Sequence, residues 1–502
     1  MPVENLIEFP TRDARAAINP VVRALLDGME ARSIRYCHWK SNMRLADALS
    51  GDDDIDVLVD RRDACAFHAL LAETGFKLAV SRARIGHPGV FHAFALDPDS
   101  ARLIHLHAYS QVVTGDSLVK AYRLPIEHEL LDDTRLIHGV RVPQAEAELV
   151  LFAVRNALKH TSLTEIAMVS RHYAGVVAEL DWLRGQCDID RAAKLCASWF
   201  PAIDGRLFHA LLAAIATERT VTRRVRLGFR VARALKGLRR VGRAAAFVDR
   251  ARRIAALGFS RITGRRDLAL ATGGAVIALV GPKAVGKTTL GTALQTRLGE
   301  HLDVRRIHAG KPPATPATWL LHLAIPLARR LFPRERPGEY EKPERRENSP
   351  SLLYVLRMAM LAHDRRHLLR KAMRAATAGT IVICDRYPSL TVGSMDSVQF
   401  SKAQQARAAS ALKRGLMRLE EKFCLDLPPP GLVVRLQAPL GTSLMRDRER
   451  GKEGGPDADA VERRRALESN GDYGSAPVAA IDTDRPIEDT VRDTVCTVWN
   501  SL

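Results

Sequence analysis

Short apolar runs separated by amphipathic stretches organise the second half of the chain. Residues 275–280 (AVIALV), 380–384 (TIVIC) and 432–436 (LVVRL) are almost uninterrupted apolar runs, a pattern typical of strands buried in a parallel sheet. Leucines recur every four residues from Leu290 to Leu298, which predicts an amphipathic helix after the first run. This part of the chain therefore predicts an α/β domain.

The first half of the chain has a more mixed pattern. Residues 20–142 combine short β-rich runs, such as 55–59 and 103–106, with helical stretches. Pro143 then opens a mostly helical region that ends near residue 204. The pattern predicts an α+β domain followed by a helical extension.

The length of 502 residues exceeds what one hydrophobic core usually holds, because cores stop growing at about 250 to 300 residues. The two patterns therefore belong to separate domains. The predicted domains are 1–205, the α+β domain with its helical extension; 206–268, a basic helical connector; and 269–502, the α/β domain.

The positive charge of the chain is concentrated in that connector. The formal net charge is +19, and residues 219–266, from Arg219 to Arg266, hold sixteen Lys or Arg and a single acid, Asp249. Apolar residues alternate with the arginines at close to helical period. The pattern favours a pair of solvated helices that join two domains. It also fits a surface that binds nucleic acid or an anionic membrane, with ATP as a conformational switch.

Composition and cysteine use narrow the class of protein. Hydrophobic residues make up 46% and charged residues 26%, which is typical of globular proteins and excludes a largely disordered chain. The seven cysteines include no Cys-x-x-Cys pair, so they predict neither a disulfide framework nor a zinc ribbon. We find no pattern of a secretory signal and no run of eighteen apolar residues. We therefore expect a cytoplasmic protein.

A phosphate-binding loop follows the first apolar run. Residues 281–288 have the sequence GPKAVGKT, the Walker A pattern, between a predicted strand and a predicted helix. Glycines allow backbone N–H groups to surround a β-phosphate, Lys287 places a positive charge on the β and γ oxygens, and Thr288 offers a hydroxyl to Mg²⁺. The loop therefore predicts binding of ATP and Mg²⁺. The predicted binding residues are Gly281, Lys283, Gly286, Lys287, Thr288 and Thr289.

Two further groups of candidate residues follow later strands. Asp385 and Arg386 come directly after the run at 380–384, and ligands of open α/β sheets bind at the carboxyl ends of strands. We therefore expect Asp385 to reach the bound metal. Arg446 and Arg450 lie four residues apart on a predicted helix, so they share one face and could hold phosphate oxygens from a mobile lid.

These motifs occur in the order found in thymidylate kinases, so residues from about 270 to 502 resemble that family of P-loop kinases. The matching segments are GPKAVGKTT (281–289), HDR (363–365), DRY (385–387) and RDRERG (446–451). The resemblance implies a P-loop NTPase fold, which is a three-layer α/β domain with a parallel sheet. It also implies ATP-dependent phosphoryl transfer to a nucleoside monophosphate, with dTMP as the first candidate, or to a related small phosphorylated acceptor. A homodimer is a further expectation.

The resemblance also implies roles for individual residues. Lys287 and either Arg446 or Arg450 would act on the transferring group, and Asp385 would act through Mg²⁺. Arg365 and Arg386 would bind the phosphate of the acceptor. The implied catalytic set is Lys287, Asp385, Arg386, Arg446 and Arg450.

The first half of the chain resembles the opening of a nucleotidyltransferase fold. HWKSN (38–42) is followed by GDDDIDVLV (51–59). In that fold a serine-containing turn binds a triphosphate, and two acids on alternate strand residues bind Mg²⁺. Asp54 and Asp56 have this spacing, and alternate strand residues point to the same side of a sheet. Nucleotidyl transfer through Asp54 and Asp56 is therefore the alternative function.

His105 and His107 stand where the nucleotidyltransferase fold normally supplies a third carboxylate. A neutral imidazole does not offset two divalent ions as a carboxylate does, which favours an inactive or altered domain. The two histidines could instead share a zinc ion, although two histidines on one strand face are more often core or surface residues.

Overall fold

The computed structural model describes residues 18–171, 173–217, 221–324, 350–394, 396–449, 466 and 471–502. Its internal contacts divide the chain into two units. Unit 1 comprises Met1–Asp97 and Leu103–Asp267, and unit 2 comprises Pro98–Arg102 and Leu268–Leu502. Helices and strands occur in both units, so the protein is of the mixed α/β class.

The strands of unit 1 form one larger sheet and two small ones. They are β1 (Tyr36–His38), β2 (Ile55–Val59), β3 (Lys77–Ser81), β4 (Val90–Asp97), β5 (Arg102–Tyr109), β6 (Val112–Thr114), β7 (Tyr122–Leu124), β8 (Thr134–Ile137) and β9 (Val140–Pro143). The larger sheet has the order β1-β2-β5-β4-β3, while β6 pairs with β7 and β8 with β9. Strands β2 and β5 are parallel, and this register sets Asp56 opposite His107.

The helices of unit 1 surround this sheet and build a second core. They are α1 (Pro20–Ala31), α2 (Leu45–Ser50), α3 (Ala64–Glu73), α4 (Glu127–Asp132), α5 (Ala145–Lys159), α6 (Leu163–Arg171), α7 (Tyr173–Arg184), α8 (Ile189–Trp199), α9 (Gly205–Ile215), α10 (Val221–Ala234) and α11 (Arg243–Thr263). Helices α1 and α3 share a core with the sheet, to which Leu25, Leu70 and Val57 belong. Helices α5 and α8 to α10 form the second, mainly helical core.

Part of the segment that the sequence assigns to a connector belongs to that helical core. Leu227 and Val231 of α10 are buried in it, because residues four apart share one helix face. Gly228 allows the close approach of α10 to α5, since a Cβ atom at this position would lie 2.5 Å from the carbonyl oxygen of Ala157. Helix α10 is therefore a packed element of unit 1, and the contact boundary between the units follows Asp267.

Unit 2 is built on a parallel sheet. Its five strands are β11 (Val276–Val280), β12 (Val304–His308), β13 (Ile381–Asp385), β14 (Leu432–Gln437) and β15 (Val478–Asp482), and a further short strand, β10 (Leu268–Leu270), precedes them in the chain. The sheet order is β12-β13-β11-β14-β15, and every neighbouring pair is parallel. All residues of β11 and β13 are buried, which explains why both strands are continuous apolar runs in the sequence.

Helices of unit 2 pack on this sheet and leave the carboxyl ends of its strands for the loops. They are α12 (Lys287–Leu298), α13 (Leu352–Thr377), α14 (Lys402–Ala406), α15 (Ala411–Leu425), α16 (Leu440–Glu449) and α17 (Ile487–Ser501). Leu369 and Ala372 of α13 share a core with Val276 and Cys384. Ser351 caps α13, because its side chain accepts a hydrogen bond from the backbone N–H of Tyr354.

Two further findings concern the cysteines and the hydropathy of the helices. All seven cysteines are free thiols in the structure. Within the described residues, no helix has both the length and the hydropathy that crossing a bilayer requires.

Candidate active site

The glycine-rich turn connects β11 directly to α12. Gly281 has φ 136°, and a Cβ atom there would lie 2.4 Å from the carbonyl oxygen of Leu436, so only glycine fits. Gly286 has φ 96° and precedes the first residue of α12. Ala284 has φ 65°, which is a strained conformation for a residue with a side chain. The turn therefore holds an unusual backbone path directly before a helix N-terminus, where unpaired N–H groups favour anions.

Lys287 is the first residue of α12, and its ammonium group lies over this turn. Its Nζ donates hydrogen bonds to the carbonyl oxygens of Gly281 at 2.6 Å and Pro282 at 2.7 Å. Lys283 is exposed on the same turn, and Thr289 follows on α12. The positive charge of Lys287 is thus held at the point where the helix dipole also favours negative charge.

A threonine hydroxyl and an aspartate carboxylate meet beside the turn. Strands β11 and β13 are neighbours, and their register pairs Leu279 with Asp385. Oγ1 of Thr288 donates to Oδ2 of Asp385 over 3.5 Å, and Nη2 of Arg306 lies 3.5 Å from the same oxygen. Asp385 is buried. The pair fits Mg²⁺, because a hydroxyl and a carboxylate are the hard oxygen donors that this ion prefers.

A cavity of about 370 Å³ lies beside the turn, and its volume is in the range of small-molecule sites. Its lining includes Ala284, Thr289 and two arginines, Arg446 and Arg485. Nη2 of Arg446 donates to the carbonyl oxygen of Thr483 at 2.9 Å, which anchors the guanidinium at the cavity wall. Of the two predicted lid arginines, Arg446 is therefore at the cavity. The other, Arg450, lies outside the described residues.

The two arginines predicted to bind an acceptor phosphate converge on one carboxylate. Arg365 is buried and donates from Nη2 to Oδ1 of Asp396 at 2.9 Å and from Nη1 to the Asp396 carbonyl oxygen at 2.6 Å. Nη1 of Arg386 lies 3.4 Å from Oδ2 of Asp396. Arg386 and Asp396 have φ 69° and 66°, so both are held in strained left-handed conformations. This end of unit 2 is thus an anion-binding arrangement that an internal carboxylate fills.

Three residues near this end were not predicted from the sequence. Arg306 and His308 lie on β12, where the register pairs His308 with Asp385. Nδ1 of His308 accepts a hydrogen bond from the backbone N–H of Gly310 at 3.1 Å, and burial lowers the pKa of this histidine. Asp396 is the third. Strand β12 is half-buried and contains adjacent arginines, so the sequence gives no apolar run that marks it.

The acids predicted for a metal site in unit 1 are each paired with a base. Nζ of Lys40 lies 2.6 Å from Oδ1 of Asp56, and Nδ1 of His107 lies 3.2 Å from the same oxygen. Asp54 contacts Nδ1 of His105 at 2.6 Å. Burial by itself raises the pKa of Asp56, but the charge of Lys40 and the contact with His107 outweigh it, so this pKa is lowered. Among the described residues, no group of three or more His, Cys, Asp or Glu side chains is arranged to hold a metal ion.

The same face of unit 1 gathers cations around two aromatic rings. Trp39 and Tyr109 pack edge to face, with centroids 4.9 Å apart. The ammonium groups of Lys40 and Lys120 lie 5.4 and 5.0 Å from the Tyr109 centroid, and the guanidinium of Arg155 lies 5.1 Å from that of Trp39. Burial and the neighbouring charge of Lys40 lower the pKa of Lys120 to about 7. The surroundings of Asp56 are therefore rich in positive charge.

Comparisons with known proteins yield distant structural similarities only. No family model matches the chain, and no curated protein matches it. One similar solved structure is that of APE1195, with 17% identity, a TM-score of 0.22, and coverage of 45% of this chain and 96% of that chain. Another is the thymidylate kinase from Candida albicans, with 17% identity, a TM-score of 0.25, and coverage of 45% and 92%. Neither similarity assigns a family or an activity to this chain.

Proposed function

We propose that unit 2 is an ATP- and Mg²⁺-dependent phosphotransferase with the three-layer fold of P-loop kinases. The contact that supports this proposal most directly is the one between Thr288 and Asp385 beside the glycine-rich turn. A hydroxyl at a helix N-terminus and a carboxylate at the next strand end are the protein ligands that P-loop enzymes offer to nucleotide-bound Mg²⁺. Unit 2 has both, together with the Lys287 ammonium.

The side chains have separate tasks in this proposal. Lys287 exchanges its loop carbonyl partners for the β and γ oxygens, and the N–H groups of the turn orient the polyphosphate. Mg²⁺, when bound at Thr288 and Asp385, offsets the charge of the transferring group. Arg446 contacts the nucleotide from the wall of the cavity beside Thr289.

The acceptor in this proposal is a nucleoside monophosphate, with dTMP as the first candidate, or a related small phosphorylated molecule. Arg365 and Arg386 supply the guanidinium groups that an acceptor phosphate needs. Such a phosphate would compete with the carboxylate of Asp396 for them. The acceptor therefore has to be an anion that displaces an internal ion pair.

Substitution of Lys287 tests this function. Full-length wild type and Lys287→Ala are assayed for ATP consumption and phosphorylated product with Mg²⁺ and a panel of nucleoside monophosphates. We expect a loss of at least about a hundredfold in kcat, because a single charge on the transferring group contributes that much in related chemistry. Lys402→Ala, which removes an exposed lysine paired with Glu421, is the matched control. Full activity of Lys287→Ala, or no nucleotide binding by the wild type, rules the proposal out.

Nucleotidyl transfer in unit 1 is a second candidate function. The cations Lys40, Lys120 and Arg155 favour it, because they surround Asp56 with the positive charge that a triphosphate needs. Pyrophosphate release that is lost in Asp54→Asn and kept in Lys287→Ala would assign this activity to unit 1. Pyrophosphate release that is absent in the wild type excludes it.

A further inference from the structure

Helix α11 packs on unit 1 through its polar side. Arg253 is buried and donates to the carbonyl oxygens of Ile85 and, at 3.4 Å, Gly86. Arg250 forms an ion pair with the buried carboxylate of Asp116. These charged groups and the buried Ala246 therefore fix the helix to the protein, at a side where an amphipathic helix of a globular protein normally presents mainly apolar residues.

The apolar side of α11 faces solvent instead. Phe247, Val248, Phe259 and Ile262 are 69%, 66%, 61% and 88% exposed, and Ile254 is also exposed. At about 100° per residue these five side chains fall within a sector of about 140°, and the 21 residues extend for about 32 Å. The result is a continuous apolar stripe on the solvent side of the helix, which we call the α11 stripe.

Arginines border the α11 stripe on both edges. By the same helical geometry Arg243 and Arg261 lie along one edge and Arg252 along the other, and all three are exposed. The acid of the segment, Asp249, is paired with Arg253 at 2.9 Å. An apolar centre with cationic borders is complementary to a surface that is apolar inside and anionic at its rim.

This complementarity distinguishes among the occupants that could cover the stripe. A second copy of the chain would bring the same arginines together, so like charges would oppose pairing through this face. A nucleic acid would satisfy the arginines but offers phosphates and sugars to Phe247 and Ile262. An anionic bilayer matches both the apolar side chains and the arginines, because acyl chains surround the former and headgroup phosphates accept hydrogen bonds from the latter.

We propose that α11 is an interfacial membrane helix, which holds unit 1 on an anionic lipid bilayer with the α11 stripe buried between headgroups and acyl chains. The helix lies in the plane of the surface, with Phe247, Val248, Phe259 and Ile262 as its apolar anchors. Arg243 and Arg261 extend to lipid phosphates along one edge, and Arg252, whose Nη2 also donates to the carbonyl oxygen of Ala83 at 2.9 Å, lies along the other.

Vesicle binding by the 502-residue chain tests this assignment. The probes are vesicles of phosphatidylcholine with 30% phosphatidylserine, vesicles of phosphatidylcholine alone, and a 30-base-pair DNA and RNA duplex, each at low and at high salt. We expect at least tenfold tighter binding to the anionic vesicles than to the neutral ones. The double variant Phe247→Ser/Ile262→Ser should lose at least tenfold in affinity for anionic vesicles. Leu136→Ser, which changes a residue 67% exposed on β8, should bind as the wild type does.

A second variant removes positive charge at the edge of the α11 stripe and leaves its apolar side chains unchanged, so it tests the contribution of the arginines to lipid binding. Arg243→Gln/Arg261→Gln should lower the preference for anionic over neutral vesicles by several-fold, with an unchanged far-ultraviolet spectrum. Binding to duplexes that is as tight as vesicle binding and is insensitive to Phe247→Ser/Ile262→Ser overturns the proposal in favour of nucleic acid. A dimer in solution that dissociates in the serine variant overturns it in favour of a second copy, and no vesicle binding at low salt overturns it outright.

Discussion

Each unit has a buried aspartate in an apolar strand, and the two aspartates have different neighbours. Asp385 is the last residue of β13 in unit 2, and Asp56 lies in β2 of unit 1. The nearest cation to Asp56 is Lys40 at 2.6 Å, with His107 on the same oxygen. The carboxylate of Asp385 has Arg306 at 3.5 Å and the Thr288 hydroxyl at the same distance. An acid in an apolar strand is thus the same pattern in both units, and the distance of the nearest cation sets them apart.

The difference has a chemical consequence for each site. A buried ion pair at 2.6 Å already offsets the desolvation of Asp56, so a metal would have to displace Lys40 before it could bind. Both contacts of the Asp385 carboxylate, with Arg306 and with Thr288, are 3.5 Å long and therefore weak. The carboxylate and the Thr288 hydroxyl can thus ligate a cation without first losing a strong ion pair. The comparison therefore favours catalysis at Asp385 and a structural or anion-binding role at Asp56.

Asp385→Asn should have the largest effect. The amide retains the shape but loses the charge that a bound Mg²⁺ needs, so we expect kcat for ATP-dependent transfer to fall by about a hundredfold to a thousandfold. Steady-state kinetics at saturating Mg²⁺ measures the change. Asp426→Asn, at a surface carboxylate paired with Arg366, is the control and should retain full activity. A drop of less than about threefold would show that Asp385 does not act on the metal.

Lys40→Met should destabilise unit 1 by about 3 kcal/mol, because it leaves the buried carboxylate of Asp56 with His107 alone. Hydrogen exchange of peptides from β2 and β5 measures this opening, while peptides from β13 provide the internal control in unit 2. The double variant Lys40→Met/Asp56→Asn should recover most of the loss, since the uncompensated charge is gone. Equal stability of the single variant and the wild type would show that the pair contributes nothing to the fold.

The largely buried strands β2, β11, β13 and β14 could be predicted from the sequence, because their mainly apolar residues reflect that burial, whereas the half-buried β12 could not. Strand β2 has the predicted limits, and β14 ends one residue beyond the predicted run. The meeting of Thr288 with Asp385 also follows from the pattern, since carboxyl ends of neighbouring parallel strands lie at one edge of a sheet.

The partners of Asp56 could not be predicted in the same way. Lys40 reaches it because β1 and β2 pair in an antiparallel register that sets His38 opposite Val57, and such long-range pairing has no local pattern. The orientation of α11 is a similar case. A helical period predicts that an apolar side exists, but not that Arg253 would turn the polar side toward the protein.

The comparison extends to Glu148, a buried carboxyl whose ion pair is longer than that of Asp56. Arg135 is 3.8 Å away, and burial raises the pKa of Glu148 to about 7, the opposite of the shift at Asp56. The folded state therefore binds this proton more tightly than the unfolded state, so stability is highest at acidic pH and falls as pH rises toward 7.

The free energy of unfolding of unit 1 should fall by about 1 to 2 kcal/mol between pH 5 and pH 8. The urea midpoints of the wild type and of Glu148→Gln, measured at both pH values, isolate this contribution because other groups titrate in both proteins. Glu148→Gln should show a smaller difference between the two midpoints. An identical pH dependence would mean that Glu148 is ionised in the folded protein at pH 5.

Arg306→Gln should produce the smallest effect of these variants. It tests directly whether the distance of the nearest cation distinguishes Asp385 from Asp56. The 3.5 Å contact between Arg306 and Asp385 is longer than that between Lys40 and Asp56, and such partly exposed pairs contribute about 0.2 to 1 kcal/mol. Removal of this cation should let Mg²⁺ bind the carboxylate about twofold to fivefold more tightly. Activity measured against Mg²⁺ concentration, at constant ATP, gives the half-saturating value. If that value rises instead, Arg306 supports the bound nucleotide, and the distance of the nearest cation is not what distinguishes Asp385 from Asp56.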